Sequence, residues 1–232
     1  NMSDSDIDKA VENIKNFVDN YNTTLAAVYS EINESYNKNY APLTTEQRSS
    51  MSDDEIKSWE KIAKTGLLHN DSILRELTTN MRSNVSNPIS GLTGSYTSLS
   101  SIGITTGVYT ENGKLHLDET KLRTALQEDP NVLSNLFSTD GAATSNDGIA
   151  VRLYDSLKNT MDKINSSAGV IAGSADTQSA MAKELAQVNK NITATTKRVS
   201  AMQERYYKQF DAMETMLQRM SQQSSWLSQQ FK

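Results

Sequence analysis

Two stretches of this sequence repeat apolar residues at alternating spacings of four and three. That rhythm constrains the fold more than any other feature of the chain. The first reads Ile7, Val11, Ile14, Val18, Tyr21, Leu25, Val28, Ile32. The second reads Met181, Leu185, Val188, Ile192, then Thr195, Val199, Met202, Tyr206, then Gln209, Met213, Met216, Met220. A mean spacing of about 3.5 residues marks the narrow seam along which helices supercoil, not the broader face of an ordinary globular helix. A chain built on two such rods is scaffold or interaction machinery first, and any chemistry must come from elsewhere.

Composition agrees with rods and thin cores. Exchanging Tyr for Gly in the hydrophobic count, to match the usual reference set, leaves about 37% apolar residues, against roughly 45–50% in average globular domains. The 232 residues suffice for one large or two modest domains. The net charge of −5 comes from interspersed signs, with no basic block of the kind that marks nucleic-acid or anionic-membrane binding. No apolar run approaches the ~18 residues of a spanning helix, so membrane insertion is not expected. Without cysteine there are no disulfides, thiolate zinc sites or cysteine nucleophiles. The opening Asn1-Met2-Ser3-Asp4 suggests a fragment, with any targeting signal upstream and out of view.

Local signals divide the chain. The first helix is expected to start after Asp4 or Ser5 and to run to about Tyr36, followed by a polar loop from Asn37 to Ser50 containing Pro42. Ser52 and Glu55 form a capping box for a second helix, with Ile56, Trp59, Ile62 and Ala63 inward and Gly66 as its left-handed terminator. A third helix runs from about Ser72 to Ser86 behind an Asp71 or Asn70 cap, with Ile73, Leu74, Leu77, Met81 and Val85 in a stripe, and Pro88 stops it. Ser101 to Thr110 and Lys114 to Leu117 read as a hairpin around Glu111-Asn112-Gly113, since Asn-Gly accepts the positive φ of a tight turn. Two strands alone are marginal, so this hairpin must lie on helices. Asp118 caps a helix to about Glu128, and Asp129-Pro130 begins a short turn ending near Phe137. After a polar loop, Gly148 to Ser166 is helical, with Ile149, Leu153, Leu157, Met161 and Ile164 in line. A small-residue break from Ser167 to Asp176 precedes a last helix of ~50 residues, roughly 75 Å long.

Catalytic constellations do not emerge. His69 and His116 belong to no H-x-x-x-H pattern, and surface positions account for both. Asp53-Asp54, directly after Ser52, is first-turn charge favoured by the helix dipole. No phosphate loop or nucleophile elbow is present, so no enzyme and no cofactor are expected. Trp59 reads as a core anchor. Trp226, next to Leu227 in an otherwise polar stretch, reads as a docking aromatic. Met202, Met213, Met216 and Met220 make the second seam adaptable, because methionine accepts several partner shapes. Thr195 and Gln209 interrupt that seam, which weakens pairing but fixes register.

Taken in order, several residue groups resemble the flagellar filament cap family, also called hook-associated protein 2. They are Leu99-Ser100-Ser101-Ile102-Gly103-Ile104, Asn112-Gly113-Lys114-Leu115, Leu117-Asp118, Leu122, Ala125-Leu126, Asp129-Pro130, Val132, Leu136-Phe137 and Gly148-Ile149-Ala150 with Arg152-Leu153. Upstream, Phe17-Val18 with Tyr21-Asn22, Trp59-Glu60, Ala63-Lys64 and Gly66-Leu67-Leu68 fit the same family. Downstream, Glu204-Arg205-Tyr206, Gln209-Phe210, Met213-Glu214 and Ser225-Trp226-Leu227 do so too.

The resemblance implies the C-terminal half of a cap protein. The fold expected is predominantly helical α+β: an elongated antiparallel helix or coiled-coil bundle with a small β-hairpin, then a long C-terminal helix. Residues 1–180 would be the leg domain and 181–232 the terminal coiled-coil domain. The implied function is to cap the filament tip as a homo-oligomeric ring, often a pentamer, and to promote insertion of exported flagellin outside the cell. The implied partners are flagellin, junction proteins and a cytoplasmic export chaperone at the C-terminal helix. The expected partner interface is Leu185, Val188, Ile192, Val199, Met202, Tyr206, Met213, Met216, Leu217, Met220, Trp226 and Leu227. The first seam and Trp59 are expected to be structural. A tip adhesin, or another axial filament or junction component, is the alternative.

Overall fold

The computed structural model describes residues 2–170 and 176–230, with the backbone alone at 225 and 227–230. Contacts divide the chain into two compact units, Asn1–Ile164 and Asn165–Lys232.

The first unit is organised on α1 (Asp4–Asn33), which Ser3 caps by accepting the Asp6 backbone N–H. Its seam is buried at Ile7, Val11, Ile14, Val18, Tyr21, Leu25 and Ile32, while Val28 is half-buried against the same core. α1 packs on α4 (Ser72–Ser86), on α5 (Glu119–Glu128) and on β2 (Leu115–Leu117). The most deeply buried side chains are Leu99, Ile102, Ile104, Leu122, Leu126, Val132, Leu136 and Ile149. They come from the middle of the chain and close over the α1 seam. Burying each such aliphatic side chain is worth roughly 1.5–3 kcal/mol, so the core rests on this convergence and not on helix propensity. The ion pairs Arg123–Asp8 (2.7 Å) and Lys15–Glu119 (3.4 Å) join α5 to α1 at the surface and add little.

α1 ends at Asn33, three residues before the expected Tyr36. The reason is the crossing at Gly66. The Glu34 carboxylate accepts the Gly66 N–H (2.7 Å), and the backbone of Ser35 and Tyr36 lies where a Cβ on Gly66 would sit. Gly66 has φ +73, as its position beyond α3 (Asp53–Lys64) requires. The Ser52–Glu55 capping box of α3 is present, and those hydrogen bonds hold the Glu55 carboxyl below its ordinary pKa. The loop expected over 37–50 contains a further short helix, α2 (Thr45–Ser49). Thr44 and Gln47 form its capping box, the same four-residue signature as Ser52 and Glu55.

Trp59 is not a core anchor. α3 has no buried residue, and Trp59 is half-exposed, its ring 4.6 Å from that of Tyr40 and its indole N–H donating to the Ala41 carbonyl (2.9 Å). It pins the loop to α3 in a small satellite, together with the Arg48–Glu60 ion pair.

The β-hairpin is shorter than its sequence suggests. β1 is Ile104–Thr106 and pairs antiparallel with β2, Ile104 opposite Leu117 and Thr106 opposite Leu115. Serine chemistry and glycine geometry remove the rest of the expected strand. The Ser101 hydroxyl donates to the Ser98 carbonyl (2.6 Å), which turns Leu99–Ile102 into a 3-10 turn, and Gly103 ends it at φ +89. A second 3-10 turn, Tyr109–Glu111, leads into Asn112 and Gly113, both at positive φ as the Asn-Gly signal requires.

The next helix is α6 (Ile149–Ala168), of which Ile149, Arg152, Leu153 and Thr160 are buried. Leu157, Met161 and Ile164 continue the sequence stripe but are exposed, because the face that α6 buries runs instead through Arg152 and on to Thr160. In the second unit, α7 (Ala180–Gln230) is 51 residues long, about 76 Å at 1.5 Å per residue. No helix among the described residues is long and apolar enough to cross a membrane.

Candidate interaction surface

The two seams have opposite fates. Along α1 the apolar positions are used up inside the first unit, and polar side chains beside them attach the neighbouring elements. Asn22 is the clearest case. Its amide donates to the Leu115 carbonyl (2.9 Å) and accepts the Leu115 N–H (2.8 Å), so it takes the place of a third strand along the β2 edge. The sequence does show an Asn one residue after a seam position, but nothing in it names the backbone that Asn22 clamps.

Along α7 every described seam side chain is solvent-exposed. Leu185, Val188, Ile192, Val199, Met202, Tyr206, Met213, Met216, Leu217, Met220 and Trp226 are 44% to 64% exposed. The Leu227 side chain lies outside the described residues. An isolated helix gains too little from propensity to explain 51 residues of heptad pattern, and the pattern has meaning only against another helix. Alanine, glutamate, lysine, arginine, glutamine and methionine recur through α7, and each favours helix.

The apolar face of α7 widens toward its C-terminal half. Up to Met202 it is the bare seam. From Tyr206 onward Tyr207, Phe210 and Leu217 flank it, each at least 58% exposed. Phe210 and Tyr207 were not among the expected interface residues. The 3.5-residue template counts only one position per half-heptad, so it passes over them. Within the helix Lys208 pairs with Glu204 (2.8 Å), and the Arg205 guanidinium lies 5.6 Å from the centre of the Tyr206 ring.

The first unit holds one further group that motif reading missed. Arg152 is 4% exposed, and its guanidinium is held by backbone carbonyls alone. It donates to Thr144 (3.1 Å), Asn87 (3.2 Å), Pro88 (3.2 Å) and Ser145 (2.7 Å). Burial lowers its pKa, and the nearby Asp147 carboxylate works the other way. This is a structural knot, tying two loops to α6. No group of three or more potential metal ligands occurs among the described residues.

Known proteins place these surfaces in a family. The sequence profile described as flagellar hook-associated protein 2 C-terminus matches residues 4–222, across both units. Flagellar hook-associated protein 2 of Halalkalibacterium halodurans is 33% identical over 98% of this chain and 46% of its own length. The protein of the same name from Escherichia coli (strain K12) is 33% identical over 73% of this chain and 33% of its own length. That from Thermotoga maritima is 28% identical over 97% of this chain and 34% of its own. The crystal structure of the flagellar cap protein FliD D1-D2-D3 domains from Escherichia coli shares 28% identity over 68% of this chain and 32% of that one, with a TM-score of 0.42. The chain therefore spans about half or less of the length of the relatives it matches. It belongs to the flagellar hook-associated protein 2 family and corresponds to the family's C-terminal region.

Proposed function

We propose that the protein to which this chain belongs caps the growing flagellar filament. In this reading it sits at the tip as a homo-oligomeric ring and promotes insertion of exported flagellin. The profile match over residues 4–222 is the observation that carries it, because it covers the packed unit and the seam helix together. Residues 1–180 act as the leg, a rigid support built on the buried α1 seam. Residues 181–232 act as the terminal coiled-coil domain, whose exposed seam meets partners. A methionine-rich seam suits a helix that meets several in turn: an export chaperone in the cytoplasm, then flagellin and junction proteins outside the cell. Interruptions at Thr195 and Gln209 set the register of each pairing.

Deleting the gene and complementing it with the intact gene tests the proposal. Flagellin shed into the medium by the deletion strain, and regained filaments on complementation, are the expected results. Filaments of normal number and length without the gene would defeat the cap reading.

A further inference from the structure

Three glycines of the chain follow an Asn or an Asp, in the steps Asn112-Gly113, Asp140-Gly141 and Asp147-Gly148. At such a step the next backbone nitrogen can attack the side-chain carbonyl carbon, because glycine puts no side chain in the way. At two of the three the nitrogen is engaged. The Gly141 N–H donates to the Asp147 carboxylate (2.8 Å), and the Gly148 N–H donates to the Thr139 carbonyl (2.7 Å). The Gly113 N–H finds no acceptor among the described residues, and the Asn112 side chain before it is exposed.

The turn is what restrains this step. Asn112 has φ 56 and ψ 25, which carries the Gly113 nitrogen to the side of the Cα–C bond away from Cβ. A five-membered ring needs that nitrogen on the same side as the side chain. Two backbone hydrogen bonds close the turn, from the Lys114 N–H to the Glu111 carbonyl (3.1 Å) and from the Gly107 N–H to the Lys114 carbonyl (3.2 Å). The Arg82 stem lies over Gly113, where an added Cβ would meet its Cγ at 2.6 Å. Beyond them, Asn22 clamps the backbone of Leu115.

We propose that Asn112 is a deamidation site gated by the hairpin: the closed turn blocks the reaction, and an opened one lets it run. In the open chain the Gly113 nitrogen loses its proton to solvent and attacks Asn112 Cγ. The carboxamide C–N bond breaks, ammonia leaves and a succinimide ring closes. Water then opens the ring at either carbonyl, which leaves Asp or isoaspartate at position 112. Isoaspartate routes the backbone through Cβ and Cγ, so an extra carbon enters the turn between Glu111 and Lys114. The closing hydrogen bonds lose their spacing, and the new carboxylate stands beside Glu111. Leu115, 2% exposed in the core, is the next residue to be displaced. An opening that ends in isoaspartate therefore leaves the hairpin easier to open again, a one-way loss.

The test holds the full-length protein near neutral pH, folded and in denaturing guanidinium. Peptide mass spectrometry follows conversion at Asn112, and labelling with isoaspartyl methyltransferase identifies isoaspartate. Conversion in the folded protein is expected to be at least about 10-fold slower than in the denatured one, with isoaspartate among the products. Asn22→Ala, which removes the clamp and leaves Asn112-Gly113 intact, should speed conversion in the folded protein by at least about 3-fold. Equal rates in the folded and denatured protein overturn the proposal, as does an Asn22→Ala variant that is folded by circular dichroism and converts at the wild-type rate. Conversion to Asp alone, without isoaspartate, overturns the succinimide route. Should Asn22→Ala unfold, the wild-type protein in a guanidinium series decides in its place. Conversion that rises as the Leu115 amide loses exchange protection supports the gate, and conversion indifferent to denaturant overturns it.

Discussion

At the residue scale, the first unit concentrates its polar stress at two side chains. Tyr21 sits in the α1 seam, 5% exposed, with a hydroxyl that finds no hydrogen-bond partner among the described residues. Burial pushes its pKa up to about 12, partly offset by the charge of Arg82. The folded state therefore favours the neutral phenol. Its contribution is complete below the ordinary tyrosine value near 10 and is lost as pH rises from about 10 to 12, on the order of 2 kcal/mol. Tyr21→Phe should flatten the stability profile in that window, and at pH 7 should be neutral or stabilising by up to about 1 kcal/mol, because an unsatisfied buried hydroxyl is removed. Chemical denaturation at pH 7, 10 and 11.5 measures both; a loss above about 1 kcal/mol at pH 7 would show that the hydroxyl is bonded after all.

Arg152 is the opposite case, a buried charge whose donors are used. Arg152→Ala leaves four backbone carbonyls from two loops short of a donor and should cost roughly 3 kcal/mol. Arg152→Lys should recover little of this, since one ammonium cannot span the fork. Urea midpoints of the two variants decide it, and a Lys variant matching wild type would contradict the four-carbonyl description. Neither residue's environment was legible in the sequence. A seam tyrosine looks like any apolar position, and an arginine destined for backbone carbonyls 64 and 65 residues upstream carries no local mark.

At the scale of elements, legibility follows how local the determining interaction is. Helix starts at Ser52, Asp71 and Asp118 came through because each cap bonds a backbone N–H three residues ahead. The end of α1 did not, because it is set by Gly66, more than thirty residues later. The hairpin turn at Asn112-Gly113 was readable, but the strand leading to it was not. Its threonines and isoleucines favour extension, yet Ser98 and Ser101 hold the chain in a turn. The hairpin's attachment to α1 runs through Asn22. Asn22→Ala should cost about 1–2 kcal/mol and, more specifically, should speed hydrogen exchange at the Leu115 amide. Unchanged exchange there would mean that β2 is held by its strand partner alone.

At the scale of the whole molecule, one apolar rhythm serves two purposes, and burial separates them. The α1 seam is closed inside the first unit, so Leu122→Ala, in the core that closes it, should cost roughly 3 kcal/mol and unfold that unit at lower temperature. The α7 seam is exposed along its described length, so polar substitutions there have no core to disturb. The sequence shows the same spacing in both and cannot say which seam is satisfied, since that depends on what the rest of the chain brings to each.

The most direct test substitutes Met213, Met216 and Leu217 together by Ser in the full-length protein expressed in a deletion strain, with flagellin in the culture medium as the readout. An unchanged circular dichroism melting temperature for the first unit, together with flagellin shed at the level of the deletion strain, is the predicted result. Wild-type filaments from this variant would contradict an interaction role for the α7 seam.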